Sequence, residues 1–312
     1  MRIYLGGSKG LVLYEDEELT QIHSESLLCA VRPSSTRLLT GTEAGSILVC
    51  EGNGESHAAV KDLGQGVQTL AISSNGTVYA GLIPAGLWMS KDQGETWSEV
   101  PSFAQAPNHE AWSAPWGTPL LSCVATHPKD PKTIFCGVEV GGVYRTRDAG
   151  KSWVDVDIPD PDIHSIQVCP AKQERLYVTT GSGGFCSDDD GFGWRRMGTG
   201  NANQYTMGLA AHPSEADRVI VSAAIGPPPT WRGPEGARCD VYLSTDAGRR
   251  FRTVVKGLVG GVRRKALVIN SKVPSEIVFG TSTGELYYSN DGGESFDEMG
   301  TDLGDLRTIV FA

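Results

Sequence analysis

Ser289-Asn290-Asp291-Gly292-Gly293-Glu294-Ser295-Phe296 follows a pattern, Ser/Thr-x-Asp-x-Gly-x-x-Trp/Phe, that returns along the chain. Four other copies stand out: Ser90-Lys91-Asp92-Gln93-Gly94-Glu95-Thr96-Trp97, Thr146 to Trp153, Ser187 to Trp194 and Ser244 to Phe251. Each lies between two apolar runs. The Asp carboxylate can accept bonds from the backbone N–H groups that follow it, and the Gly two places on supplies a positive φ. The leading hydroxyl joins that local network, while the Trp or Phe returns to the hydrophobic layer after the turn. This is the chemistry of a hairpin corner, and its recurrence marks a repeat architecture.

The five copies resemble the Asp-box, or BNR repeat, of sialidases, xyloglucanases, sortilin-type receptors and a photosystem II assembly factor. The resemblance implies a β-propeller with one box per blade. It implies no single activity, because those relatives share only architecture. Taking Asp92, Asp148, Asp189, Asp246 and Asp291 as markers, the intervals are 56, 41, 57 and 45 residues, against about 40 to 45 for a blade. The excess lies in residues 101–119 and 226–240, both rich in Pro, Gly and Trp. Two decayed copies precede Asp92, one with Gly52 in the Asp place and one with Asp16. The expectation is an all-β, seven-bladed β-propeller of four-stranded antiparallel blades, a single domain over residues 1–312.

The fourth blade sets the strand order: residues 120–126 inner, 133–138 second, 142–146 third and 153–156 outer. The second strand recurs at 38–41, 78–81, 176–178, 219–221 and 277–280, with the β-branched and aromatic bias of strands. The chain starts at a second strand, Ile3-Tyr4-Leu5-Gly6, and finishes with a surplus inner strand, 306–311. Pairing of the two in one blade would hide both free edges.

Composition narrows the function. A net charge of −10 disfavours nucleic-acid binding, which needs a basic face, and Arg263-Arg264-Lys265 reads as solvated surface. No stretch reaches membrane-spanning length and the N-terminus has no apolar signal core. Seven cysteines without a C-x-x-C pair read as reduced small hydrophobes in a cytoplasmic protein.

Blade topology puts the aspartate turns on one face and both insertions on the other. Long loops in compact domains commonly carry function. The first insertion offers His109, Glu110, Trp112 and Trp116, and the second offers Trp231 and Arg232 among prolines. These aromatic rings either wall a ligand pocket or pin the loops to the rim. Residues that open inner strands or close second strands on that face are Glu43, Gln68, Glu139, His164, Tyr205, Arg264 and Arg307. Glu43, Glu139 and His164 have the chemistry of acids, bases or metal ligands, and the arginines that of a carboxylate or phosphate clamp. His127-Pro128 and His212-Pro213 share one blade position with Arg32-Pro33 and Cys169-Pro170, so the repeat accounts for them, as it does for the five aspartates.

Two functions follow. One is binding of a small molecule or carbohydrate on the loop-rich face, extending to glycoside hydrolysis or lysis. The other is a non-catalytic propeller that binds a protein or ligand. Sialidases carry an Arg-Ile-Pro element where this chain has Arg2-Ile3-Tyr4, and xyloglucanases use two propellers, so no catalytic residue is carried over from either. No nucleotide, zinc or calcium motif is present and no cofactor is evident. A metal on the ring axis, with ligands from different blades, would leave no trace in residue spacing.

Overall fold

The computed structural model describes residues 1–51, 56–115, 117–198 and 204–312. The chain is a seven-bladed β-propeller of four-stranded antiparallel sheets. It divides into two compact units, Met1–Ile163 with Val310–Ala312, and His164–Ile309. The first unit carries the inner strands Leu27–Ser34, Gly66–Ile72 and Leu121–Thr126, and the second carries Tyr205–Ala211 and Leu267–Ile269. The strand Ile163–Val168 opens the fifth sheet. As expected, the C-terminal strand Leu306–Phe311 pairs beside Arg2–Gly7 in the sheet of the first blade. The amide of Ala312 donates to the Arg2 carbonyl at 3.1 Å.

Strands form where β-branched and aromatic residues cluster, and the second and third strands of the fourth blade, Ile134–Val138 and Gly142–Thr146, bury every residue. Outer strands vary in length: Ser98–Glu99, Val154–Asp155 and Arg195–Arg196 have two residues each, while Arg252–Leu258 has seven. Hydroxyls on inner strands tie some neighbouring sheets together. Ser122 Oγ donates to the Gly137 and Ile163 carbonyls at 2.8 and 2.7 Å in the first unit. Ser165 Oγ donates to the Met207 carbonyl at 3.0 Å in the second. Each such bond, made away from water, contributes about 1 kcal/mol.

The five recurrent turns share one hydrogen-bond plan. The leading hydroxyl of Ser90, Thr146, Ser187, Ser244 or Ser289 donates to its aspartate at 2.7 to 2.9 Å. The same oxygen accepts the amide of the glycine four residues on, at 2.7 to 2.9 Å. The aspartate then accepts the amide of Thr96, Ser152, Gly193, Arg250 or Ser295. One feature went unread in the sequence: the residue before each glycine is also left-handed, at Gln93, Ala149, Asp190, Ala247 and Gly292. The decayed copy at Asp16 keeps only a left-handed pair, Asp16 and Glu17, and the copy centred on Gly52 lies outside the described residues.

Candidate functional site

Both insertions are anchored by their aromatic residues. In the first unit, Phe103 is fully buried and packs edge-on against Trp153 at 5.1 Å. Ser102 Oγ accepts from Trp153 Nε1 at 3.2 Å and itself donates to the Gly150 carbonyl, within the aspartate turn. Farther along, Trp112 Nε1 donates to the Tyr144 hydroxyl at 2.7 Å, which donates to the Gly141 carbonyl at 2.8 Å. The segment therefore runs from the aspartate turn to the opposite hairpin of the fourth blade, and Trp112 is a packed strut. His109 stays exposed, its Nδ1 3.1 Å from the Ala106 carbonyl. Trp116 lies outside the described residues.

In the second unit the insertion forms a short 3-10 turn, Pro228–Arg232. Trp231, only 6% exposed, joins the core around Met207, Leu258 and Val262 and donates through Nε1 to the Gly226 carbonyl at 2.8 Å. A methyl group on Gly261 would stand 2.3 Å from the indole, so only glycine admits the ring there. Arg232, next along, is exposed.

Above Trp231 lies a cluster of charged side chains. The Arg263 guanidinium sits over the indole at 4.9 Å, a cation–π stack. Its Nε and Nη2 donate to the two oxygens of Asp305 at 3.0 Å each. Arg307 Nε donates to the same carboxylate, also at 3.0 Å. Arg263, Asp305 and Arg307 are 25%, 17% and 19% exposed, so the cluster is shielded enough for charge to matter yet reachable from solvent. Arg264 is half-buried and its carbonyl faces Ser165 Oγ at 3.5 Å. Lys265 and Thr308 form a parallel bridge, which places the two strand entrances side by side. In the same unit, fully buried His164 packs against Tyr205 with ring centroids 4.5 Å apart and planes tilted by 44°, and its Nδ1 is 2.6 Å from the Thr206 carbonyl.

In the first unit the carboxylates of Glu139 and Asp162 come within 4.8 Å of each other. Glu139 is buried and bridges to Asp162 across an isolated backbone pair, while Asp160 Oδ1 accepts the Asp162 amide at 3.0 Å. Glu43 is exposed and accepts from Ser26 Oγ at 3.4 Å. Half-buried Gln68 lies over Gly66, where a methyl group would meet its Nε2 at 3.2 Å. His127 and His212 have matching roles as turn acceptors: each Nδ1 takes the amide three residues on at 2.9 Å.

Sequence reading missed Arg263 and Asp305. Arg263 was visible only as one of three adjacent cations, and Asp305 only as the residue before the last strand. The available signal was that both precede inner strands. Charge is also divided unevenly between the units: 11 Lys and Arg against 20 Asp and Glu in the first, 16 against 17 in the second. Among the described residues no helix is long and apolar enough to cross a membrane.

The family model for Sortilin-Vps10 (sortilin, neurotensin receptor 3) matches residues 141–259. An oligoxyloglucan-reducing end-specific xyloglucanase of Emericella nidulans is 38% identical over 77 residues, which are 24% of this chain and 8% of that enzyme. Among solved structures, the GH74 xyloglucanase from Xanthomonas campestris superposes with a TM-score of 0.66 at 16% identity, over 87% of this chain and 45% of its own. YCF48 bound to D1 peptide superposes at 0.61 and 14% identity, over 87% of this chain and 81% of its own. The chain thus spans under a tenth of the curated relative and under half of the xyloglucanase structure, and these structural likenesses show the fold.

Proposed function

We propose that this chain is an Asp-box propeller that binds a small molecule or carbohydrate on the face away from its aspartate turns. The observation that carries the reading is the Trp231–Arg263–Asp305–Arg307 cluster, where an insertion, two inner-strand entrances and an aromatic face meet in one half-buried patch. Guanidinium groups held in a fixed plane suit hydrogen bonding to sugar hydroxyls or to a carboxylate. The aspartates of the five turns are consumed by their own loops. The 77-residue likeness to a xyloglucanase supports a saccharide as first choice of ligand.

Glycoside hydrolysis ordinarily needs two carboxyl groups about 5 to 10 Å apart. Asp305 already accepts from two arginines through both oxygens, so in this cluster binding is favoured over catalysis. The second reading, a non-catalytic scaffold for a protein segment, is favoured by the coverage of YCF48, which this chain matches over most of that protein's length. The seven cysteines are buried thiols, which supports a reducing, cytoplasmic setting. No cofactor is needed for either reading.

Calorimetric titration of the purified chain with xyloglucan oligosaccharides and with anionic oligosaccharides tests the proposal. Binding is expected, with a loss of about tenfold or more in Arg263→Gln, since a charge-assisted hydrogen bond is worth about 1.5–3 kcal/mol, and none in Lys256→Gln on an outer strand. Saccharide binding that ignores both Arg263→Gln and Arg307→Gln would sink the proposed location. Release of reducing ends that stops in Glu139→Gln would convert the reading from binding to hydrolysis.

A further inference from the structure

The hairpin Ser73-Ser74-Asn75-Gly76-Thr77 joins the strands Gly66–Ile72 and Val78–Ile83 of the third blade. Asn75 is exposed. Its side-chain carbonyl oxygen accepts two hydrogen bonds, from Ser73 Oγ at 2.6 Å and from the Thr77 amide at 3.2 Å. Ser73 itself is buried and its hydroxyl is also 3.2 Å from the Thr77 carbonyl. Gly76 has a φ of +84°, and a methyl group placed on it would touch nothing.

Two donors on an amide oxygen, with an unhindered backbone nitrogen next in the chain, make a small oxyanion site. We propose that Asn75 is a site of spontaneous covalent modification, in which the turn promotes its conversion to aspartate and isoaspartate. The Gly76 backbone nitrogen attacks Asn75 Cγ, and a new C–N bond closes a five-membered succinimide. Charge builds on the side-chain oxygen, where Ser73 Oγ and the Thr77 amide receive it. The Cγ–Nδ2 bond then breaks and ammonia leaves, carrying the proton lost from Gly76. Water adds to either carbonyl of the imide, giving Asp at one and isoAsp at the other.

The Gly76 amide donates to the Ser73 carbonyl at 2.9 Å, so that bond must open before attack, which makes the reaction slow against folding. Glycine is the residue that permits it, since any side chain would be strained at this positive φ. The product fits the fold. In the equivalent turn of the fourth blade an aspartate occupies this role: Asp130 accepts the Lys132 amide at 3.0 Å and Thr133 Oγ1 at 2.6 Å, while the His127 amide reaches the Thr133 carbonyl as Ser73 reaches Thr77. An aspartate at 75 therefore keeps both donors and adds one negative charge to the more acidic unit. An isoaspartate lengthens the backbone by one carbon and breaks the 2.9 Å bond from the Ser73 amide to the Thr77 carbonyl.

The test is incubation of the full chain at mildly alkaline pH, with peptide mapping by mass spectrometry to follow amide loss at Asn75 and at Asn53-Gly54, the other Asn-Gly pair. Asn75 is expected to convert to a mixture of Asp and isoAsp. Ser73→Ala should slow it about fivefold, less than the hundredfold or more for a donor lost from a water-excluded oxyanion hole. Ser73→Thr, which restores a hydroxyl, should recover the rate, and circular dichroism confirms that each variant is folded. Conversion in folded Ser73→Ala at or above the parent rate would overturn the proposal, as would an Asn75 that stays intact while Asn53 is modified. Neither result bears on the saccharide reading, which concerns the other unit.

Discussion

Asp148 and Asp305 are both aspartates held by several donors, yet their partners come from opposite kinds of neighbourhood. Asp148 is satisfied by Thr146, Lys151 and Ser152, all within four residues. Asp305 is satisfied by Arg307 and by Arg263, which is 42 residues away. A carboxylate closed within its own turn can be copied from blade to blade without regard to what surrounds it. A carboxylate that gathers an arginine from far along the chain depends on which strands pack beside it, so its place is set by the fold and not by the turn.

The largest test of this contrast removes the distant partners together. Deleting residues 305–312 takes away the inner strand of the first blade and the clamp on Arg263, and is expected to abolish cooperative unfolding in a denaturant melt. A truncated chain with an unchanged melt would show that the C-terminal strand is dispensable. Next comes Trp231→Ala, which removes a buried indole and the platform for Arg263. A loss of about 3–5 kcal/mol is expected, with weaker ligand binding in the same variant. Asp305→Ala leaves two half-buried guanidinium groups without their shared acceptor and should cost about 1–3 kcal/mol. In the repeated corners, Ser289→Ala loses a buried hydroxyl that both donates to Asp291 and accepts from Gly293, for about 1 kcal/mol.

The smallest effect per residue is on acid stability. The Thr96 hydroxyl and amide hold the Asp92 carboxyl down at about 2, and the Arg250 amide does the same for Asp246. Ser152, Ser187 and Ser295 hydroxyls lower Asp148, Asp189 and Asp291 in the same direction. Because the folded state favours the charged form, this stabilisation is complete above the ordinary carboxyl value of 3.8 and is lost as pH falls toward about 2. Melting temperature measured between pH 4 and pH 2 should fall less steeply in Asp92→Asn than in the parent chain. An identical slope would mean that the turns do not prefer the ionised carboxylate.

Strand order, blade number and the union of the two termini were legible because each rests on local or periodic signals. Apolar alternation reports a strand wherever it pairs, and the Ser-x-Asp-x-Gly corner reports its own hydrogen bonds. The candidate cluster was only half legible. Arg307, Arg264, Tyr205 and His164 could be placed near inner-strand entrances by counting. The pairing of Arg263 with Asp305 could not, because residue spacing carries no radial depth. The insertions show the same limit. Their tryptophans announced long loops in the sequence, but that Trp112 would brace Tyr144 and Trp231 would lie beneath Arg263 depended on which hairpin stood next to each.

The sequence by itself determined the repeat, since the hydroxyl, aspartate and amide bonds that shape each corner run among eight consecutive residues. Only the tertiary structure decided which charged side chains share a carboxylate and which aromatic rings become struts. Those contacts join residues tens of positions apart, and their energies depend on distance and burial that arise only once the sheets have packed.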